Sequence, residues 1–131
     1  MNFFRRTLAF SLIFALGLAA VAQTPAAKLD PVGTWVGTAE NQGNYDDMTV
    51  VIEKKDDVYT GKIKDGMGMF VDAEIKNFVM KDNKVTFEFA GAMGGMPFNL
   101  KADLVLTEKT FNGTWTMIED GSSGAIELAR K

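Results

Sequence analysis

The chain has 131 residues, a net charge of −3, and neither histidine nor cysteine. An acidic chain without a cluster of lysine and arginine repels phosphate-rich partners, so we exclude nucleic acid as a partner. Without histidine and cysteine, the commonest general base and the most nucleophilic side chain are both missing.

The first 22 residues have the pattern of a secretory signal peptide. Arg5 and Arg6 form a basic start, residues 8–18 are an apolar run, and Ala20-Val21-Ala22 is a small-residue cleavage pattern. The apolar run is too short to span a bilayer, and no cysteine follows it to carry a lipid. We therefore predict a cleaved signal peptide (1–22), export to the periplasm or the extracellular space, and no stable membrane anchor.

Cleavage would leave a mature chain of 109 residues, a length that suits one domain. Without Arg5 and Arg6, 12 basic residues face 17 acidic ones, which gives a net charge of −5. Residues 23–31 (QTPAAKLDP) are small, polar and interrupted twice by proline, so we expect a flexible leader before a barrel domain at 32–131. Because cysteine is absent, stability has to come from a continuous hydrophobic core.

The mature chain alternates short β-rich runs with turn signals, and no stretch has a 3.6-residue apolar period. One apolar and one polar face per run is typical of an antiparallel sheet with a single buried side. Eight such runs with short links predict an all-β fold, a single eight-stranded antiparallel up-and-down barrel. The predicted strands are 33–39, 47–54, 57–64, 70–80, 83–90, 97–106, 110–117 and 123–130.

The links between these strands differ between the two ends of the predicted barrel. Links after even-numbered strands are short and charged, and they seal one end, here called the closed end. Links after odd-numbered strands are longer and rich in glycine and methionine, and in a meander they all lie at the other end, here called the loop end. Binding residues usually lie on such loops. The predicted links at the loop end are 40–46, 65–69, 90–96 and 118–122.

The triplet Gly-Thr-Trp occurs twice, at 33–35 and at 113–115, and contains both tryptophans of the chain. We predict that Trp35 and Trp115 both lie at the closed end, because the first and seventh strands run in the same direction. The last strand ends there with Arg130, whose guanidinium would stack on a tryptophan ring. These three residues are therefore interpreted as structural residues that close the barrel.

The same motifs resemble those of the calycin superfamily, which comprises lipocalins, fatty-acid-binding proteins and avidins. Closer still is a resemblance to exported bacterial barrel domains that open with G-x-W-x-G and end with F-x-G-T-W and L-x-R. The corresponding residues are Gly33-Thr34-Trp35-Val36-Gly37, Phe111-Asn112-Gly113-Thr114-Trp115 and Leu128-Ala129-Arg130. The resemblance implies a lipocalin-like barrel and export, and it implies no activity.

We predict that the protein is not an enzyme and uses no cofactor. The serines of the mature chain, Ser122 and Ser123, lie in a turn and have no histidine as a base. The adjacent acids Asp46-Asp47 and Glu119-Asp120 are interpreted as solvated turn residues rather than as a catalytic acid/base pair.

The leading functional hypothesis is binding of a small apolar molecule at the loop end. Methionine and phenylalanine side chains there can line an adaptable apolar mouth, and Tyr45 adds a polar group. An eight-stranded barrel either holds one small ligand or is filled by its own side chains, and the sequence leaves both open. The candidate ligand-binding residues are Tyr45, Met67, Met69, Phe70, Met93, Met96 and Phe98.

Two alternatives remain open. The first is a Cu(I) site, because thioethers at short spacing suit this ion, and its ligands would be Met67, Met69, Met93 and Met96. The second is a protein partner. Small exported barrels that resemble this one include periplasmic protease inhibitors, whose N-terminal segment enters the target cleft, and the leader at 23–31 has the position that this role requires.

Overall fold

The computed structural model of the protein describes residues 29–131, which form one antiparallel sheet that curls into a nearly closed barrel. The predicted all-β antiparallel barrel is confirmed. No helix long and apolar enough to cross a membrane occurs within residues 29–131. The predicted signal peptide and residues 23–28 of the predicted leader lie outside the described residues. The strands are β1 (Gly33–Asn41), β2 (Asn44–Lys55), β3 (Val58–Asp65), β4 (Ala73–Glu74), β5 (Lys76–Lys81), β6 (Lys84–Met93), β7 (Met96–Leu106), β8 (Thr110–Met117) and β9 (Ser123–Arg130).

The barrel has nine strands rather than the predicted eight, because the predicted strand at 70–80 is two strands. β4 contains two residues and pairs with β3, whereas β5 pairs with β6. Asn77 has a left-handed φ of 53°, and the register of β5 against β6 shifts between Lys76 and Val79. The chain therefore changes partners at Ile75, between β4 and β5, and an irregularity of the ladder follows within β5.

The sheet order is β4-β3-β2-β1-β9-β8-β7-β6-β5, so its two edge strands follow one another in the sequence. Between them, Ile75 donates its backbone N–H to the carbonyl oxygen of Gly61 on β3 at 3.0 Å. The rings of Tyr59 on β3 and Phe78 on β5 pack with their centroids 4.8 Å apart. Side-chain packing therefore covers the seam between β3 and β5, where the described sheet has no ladder.

Every second side chain of the long strands points into the barrel, and together these side chains fill it. All five inward side chains of β7 are buried, as its alternating sequence predicts. The buried hydrophobic residues are Trp35, Met48, Val50, Ile52, Ile63, Phe70, Ile75, Val85, Phe87, Phe89, Phe98, Leu100, Ala102, Leu104, Leu106, Phe111, Trp115, Ile126 and Leu128. Each large side chain contributes roughly 1.5–3 kcal/mol by leaving water. The middle of the barrel is thus a packed core.

Two of the links predicted as long loops are two-residue turns. Gln42 and Gly43 have φ values of 50° and 81°, and Gly94 and Gly95 have φ values of 58° and 82°. Two successive left-handed residues match the twist of the flanking strands, which is why such turns form tight hairpins. Strands β1, β2, β6 and β7 consequently extend through most of the first and third predicted loops, and this part of the prediction is wrong.

Arg130 joins several segments at the closed end, as predicted. Its guanidinium lies 4.3 Å from the centroid of the Trp35 ring, which is a cation–π contact. The same guanidinium donates hydrogen bonds to the carbonyl oxygens of Asp30 (2.7 Å), Val32 (2.8 Å) and Glu108 (3.1 Å). One side chain therefore holds both ends of the described chain and the β7–β8 link.

The last residues of the predicted leader lie against this closed end. Pro31 is buried, and its carbonyl oxygen accepts a hydrogen bond from the indole N–H of Trp35 at 2.9 Å. Leu29 is half-buried and packs against the core. The barrel therefore includes the chain from residue 29 onward as part of its packing.

The prediction that Trp115 also lies at the closed end is wrong. Trp115 is near the end of β8, opposite Gly124 of β9, and its indole N–H donates to the carbonyl oxygen of Glu40 at 2.9 Å. Although β1 and β8 run in the same direction, Trp35 is near the start of its strand, so the two rings lie at opposite ends. A Cβ atom at Gly124 would come within 2.7 Å of the Trp115 ring, so this glycine provides the space for the indole.

Candidate functional site

Residues 66–72 form a loop that folds across the loop end of the barrel. The backbone N–H of Gly66 donates to the carbonyl oxygen of Asp47 on β2 at 2.9 Å. The carbonyl oxygen of Met69 accepts from the backbone N–H of Ala92 on β6 at 3.1 Å. These bonds attach the loop to strands on two sides of the barrel mouth.

Phe70 inserts its ring from this loop into the top of the core. The ring packs against Phe89 and Phe98, with centroid distances of 5.0 Å and 5.6 Å. Gly91 of β6 leaves the space for this cluster, because a Cβ atom there would lie 2.5 Å from the Phe70 ring and 2.7 Å from the Phe98 ring. The loop therefore fills most of the barrel mouth with an aromatic side chain.

Two aspartates hold the loop through their side chains. Oδ1 of Asp46, on β2, accepts from the backbone N–H of Met67 at 3.1 Å. Oδ1 of Asp65, at the end of β3, accepts from the backbone N–H of Phe70 at 2.8 Å. The second oxygen of each carboxyl group, Oδ2, is buried and receives no N–H or hydroxyl donor, and only a protonated Asp46 would hydrogen-bond the Asp65 carboxyl. The loop end thus contains two carboxyl oxygens without a donor.

The environment of Asp46 disfavours its charged form. The pKa of Asp46 is raised from 3.8 to about 6, chiefly by burial and also by the neighbouring Asp65 carboxyl, through a side-chain hydrogen bond and charge repulsion. Hydrogen bonds from the backbone N–H groups of Met67 and Gly66 lower this pKa without offsetting the rise. Asp46 therefore takes up a proton close to neutral pH, unlike an ordinary surface aspartate.

A small apolar pocket lies beside Asp46 at the loop end, with a cavity volume of about 70 Å³. All of its lining residues except Asn41 and Asp46 are hydrophobic. The lining consists of Ala39, Asn41, Asp46, Met48, Met69, Phe70, Phe89, Met93, Phe98, Leu100, Trp115, Met117 and Ile126. Strands β1, β2, β6, β7, β8 and β9 and the 66–72 loop all contribute, so the pocket is a property of the assembled barrel.

Four of the seven predicted ligand-binding residues line this pocket, namely Met69, Phe70, Met93 and Phe98. Met69 and Phe70 come from the loop at 66–72. Met93 and Phe98 come from the two arms of the β6–β7 hairpin. Side chains from these two segments thus lie together at the loop end.

The other three predicted residues do not line the pocket. Tyr45 and Met67 are 71% exposed and Met96 is 74% exposed. Tyr45 points outward because its neighbour Asp46 points inward, and adjacent strand residues face opposite sides of the sheet. Met67 lies on the outer part of its loop, and Met96 follows directly after the two-residue turn of its hairpin.

Two residues of the pocket were assigned elsewhere by sequence reasoning. Asp46 was interpreted as solvated, although it shares its strand face with the apolar Met48 and Val50, and this alternation is the signal that identifies it. Trp115 was assigned to the closed end, although it is the sixth of the eight residues of β8. Position along the strand, rather than the repeated triplet, indicates its location.

An apolar rim surrounds the pocket. Six of the nine exposed large hydrophobic residues of the described chain belong to links or strand ends at the loop end, which concentrates apolar surface around the mouth. Such concentration is typical of an interaction surface, whereas scattered exposed hydrophobic residues are not. The apolar rim consists of Tyr45, Met67, Val71, Met93, Met96 and Ile118.

A larger concavity, of about 560 Å³, lies on the outer face of β2 and β3. It is lined by outward-pointing residues, which include the exposed side chains of Glu53, Lys62, Lys64 and Glu74. Exposed charges of both signs are solvated and offer no convergent set of groups to an apolar molecule. The loop-end pocket is therefore the better candidate despite its smaller volume.

The predicted copper ligands are divided between two locations. Met69 and Met93 line the pocket, whereas Met67 and Met96 are outside its lining. In the part of the chain that the structure describes, no group of three or more histidine, cysteine, aspartate or glutamate residues is placed to hold a metal ion.

No protein-family model matches the chain, and searches of curated proteins and of solved structures return no match. The functional assignment accordingly depends on the chemistry of the loop end.

Proposed function

We propose that this protein is an exported, non-catalytic barrel of the calycin type that binds a small apolar molecule, or the apolar end of a larger one, at the loop end. The observation that carries the proposal is the pocket whose lining is hydrophobic except for Asn41 and Asp46. Small-molecule sites commonly combine apolar walls with a few polar groups. Export and calycin relationship are proposed from the signal-peptide pattern of 1–22 and from the G-x-W motif on a barrel.

The size of the pocket limits the ligand. A cavity of about 70 Å³ holds roughly the volume of two water molecules, whereas drug-sized ligands occupy roughly 300–1,000 Å³. A ligand therefore inserts a short alkyl or aryl end and leaves its remainder against the apolar rim. Met69 and Met93 have flexible thioether side chains, which can adapt to ends of different shape.

Straight-chain alcohols test the proposal. Trp115 lines the pocket and Trp35 lies at the other end of the barrel, so the fluorescence of Trp115 can report binding in the pocket. In the Trp35→Phe variant Trp115 is the only tryptophan, and we expect butanol, hexanol and octanol to change its fluorescence saturably. Affinity should rise by roughly fourfold per methylene, corresponding to about 0.8 kcal/mol, until the pocket is full. Fluorescence titration at fixed temperature measures both quantities.

Two matched variants serve as controls. Trp115→Phe, which retains only Trp35, should show no saturable response to the same alcohols. Ala39→Leu places a larger side chain in the pocket lining and should abolish binding while circular dichroism still reports a folded β protein. Equal responses from both tryptophan variants, or a response that never saturates, would contradict a pocket at the loop end.

A protein partner is the second candidate, and the apolar rim is the observation that favours it. Such a partner would cover the exposed side chains of the rim and place one apolar side chain in the pocket. The protease-inhibitor form of this idea stays a prediction, because residues 23–28 of the leader lie outside the described residues. The copper-binding alternative likewise stays a prediction.

A further inference from the structure

The two carboxyl groups at the loop end retain hydrogen-bonding capacity that the protein does not use. Asp46 is only 9% exposed, and its Oδ2 atom has no donor. Asp65 is half-buried, and its Oδ2 atom is buried and also has no N–H or hydroxyl donor. Both Oδ1 atoms already accept backbone N–H groups from the 66–72 loop, so the free oxygens are not needed to hold that loop.

Leaving such oxygens without donors is unfavourable. A buried polar group without a partner destabilises the folded protein, and a charged one does so more strongly. Neither Asp46 nor Asp65 forms an ion pair within residues 29–131. The two carboxyl groups also repel each other when both are ionised, which contributes to the raised pKa of Asp46. The arrangement is therefore suited to a positively charged donor supplied from outside the chain.

Asp46 is also part of the wall of the apolar pocket, whereas Asp65 is not, so a ligand in the pocket lies beside the carboxyl group of Asp46. Phe70, Phe98 and Trp115 also line the pocket. Aromatic faces attract cations and repel anions. A ligand beside Asp46 that also contacts the face of one of these rings is favoured by a positive charge.

From the buried, unpartnered carboxyl oxygens of Asp46 and Asp65 beside this pocket, we infer that the ligand is an amphiphilic amine. Its ammonium group donates to Oδ2 of Asp46, which lies against the Asp65 carboxyl, and its alkyl or aryl end occupies the pocket. This inference rests on the proposed function and adds the chemical class of the ligand. An alcohol of equal length supplies one neutral donor, and a carboxylate supplies a repelled charge.

A divalent metal ion is the main competing occupant. Ca²⁺ takes roughly 6–8 oxygen ligands, and the pocket offers the free carboxyl oxygen of Asp46 among walls that are otherwise apolar except for Asn41. One carboxylate suffices for an ammonium group, whose other N–H donors can face solvent. The geometry therefore favours the amine over the metal ion.

The test compares three ligands of equal chain length in the Trp35→Phe protein: hexylamine, hexanol and hexanoate. At about pH 8 the amine is protonated and Asp46 is ionised. We expect the dissociation constant of hexylamine, measured through Trp115 fluorescence, to be at least about tenfold lower than that of hexanol. Hexanoate should produce no saturable change.

Two substitutions that each remove one negative charge distinguish a specific contact with Asp46 from general electrostatic attraction of the amine. Asp46→Asn keeps an oxygen for the Met67 N–H and should bring hexylamine within about twofold of hexanol, with hexanol binding retained. Asp47→Asn removes the same charge from an exposed neighbour and should leave the preference for the amine unchanged.

The remaining outcomes distinguish this inference from the function on which it rests. If hexanol binds saturably and hexylamine binds no better, the amine inference is overturned and the apolar pocket stands. If none of the three ligands binds, both fail. If about 1 mM Ca²⁺ displaces hexylamine from the protein, or raises its melting temperature but not that of Asp46→Asn, the pair is a metal site and the amine inference is overturned.

Discussion

Asp46 and Asp47 are neighbours in β2, and their side chains have opposite environments. Asp46 shares the inward face with Met48 and Val50, whereas Asp47 is exposed. Neighbouring side chains of a strand point to opposite faces, so two consecutive acids cannot both be solvated where one face is a core. The interpretation of both residues as solvated turn residues is therefore wrong for Asp46.

This burial predicts an unusual dependence of stability on pH. Because the pKa of Asp46 is raised from 3.8 to about 6, the folded protein binds more protons than the unfolded chain between these values. The contribution of Asp46 to the free energy of unfolding therefore falls as the pH rises through this window, and the penalty is fully present above it. Asp46→Asn should remove the penalty, which amounts to about 1–3 kcal/mol.

Urea unfolding of the two proteins at several pH values measures this effect. Asp46→Asn should be more stable than the wild type at about pH 8, and the difference should vanish near about pH 4. Asp47→Asn is the matched control and should change stability by less than about 0.5 kcal/mol, since its side chain is exposed. A difference between Asp46→Asn and the wild type that is the same at both pH values would refute the buried-acid explanation.

At the scale of elements, the 66–72 loop and strand β6 form one packing unit. Phe70 belongs to the 66–72 loop, yet its ring is buried among side chains of β6 and β7. Gly91 permits this packing because its missing Cβ atom would occupy the position of the Phe70 and Phe98 rings. The start of the predicted strand at 70–80 is wrong, because Phe70 belongs to a loop that covers the barrel mouth rather than to a strand.

Gly91→Ala should destabilise the protein by about 1–3 kcal/mol, since the added methyl group forces two buried rings to move. Urea unfolding followed by circular dichroism measures the loss. Gly66→Ala is the matched control, because a Cβ atom there meets its nearest neighbour, Oδ1 of Asp46, at an ordinary contact distance of 3.4 Å. If both variants lose the same free energy, crowding of the Phe70 ring is not the cause.

At the scale of the whole molecule, the barrel is completed in two different ways. On one side, β1 and β9 form a regular antiparallel ladder, and Arg130 secures it at the closed end. On the other side, β4 pairs with β3 and β5 pairs with β6, and the rings of Tyr59 and Phe78 cover the seam between β3 and β5. The regular side brings together the first and last strands, so its stability depends on contacts between distant parts of the chain.

Arg130→Lys should lower the free energy of unfolding by about 1–2 kcal/mol, although the charge is retained. A lysine ammonium cannot both stack on Trp35 and reach the carbonyl oxygens of Asp30, Val32 and Glu108 in the geometry of the planar guanidinium. Urea unfolding measures the change. Lys131→Gln removes a charge from the exposed neighbouring side chain and should stay within about 0.5 kcal/mol of the wild type. A loss no larger than that of Lys131→Gln would show that the guanidinium contacts do not stabilise the closed end.

Alternation of apolar and polar residues determined the all-β class, most strand positions and the inward faces of the strands. These features depend on local spacing, because side chains of a strand alternate between its two faces whatever the strand pairs with. The contact between Arg130 and Trp35 could also be predicted from the sequence, since both residues lie at ends of predicted strands. Four pocket residues followed from the order of the links, namely Met69, Phe70, Met93 and Phe98. Met48, Phe89 and Met117 of the same pocket did not.

Tertiary structure alone decided three further features: the level of Trp115 in the barrel, the change of partner between β4 and β5, and the meeting of Asp46 with Asp65 beside the pocket. Each depends on the register of pairing between strands that are distant in sequence. Periodicity along one strand identifies a face but carries no information about height along the barrel. That height is set by hydrogen-bonded pairing and by side chains such as Phe70 that compete for the same interior space.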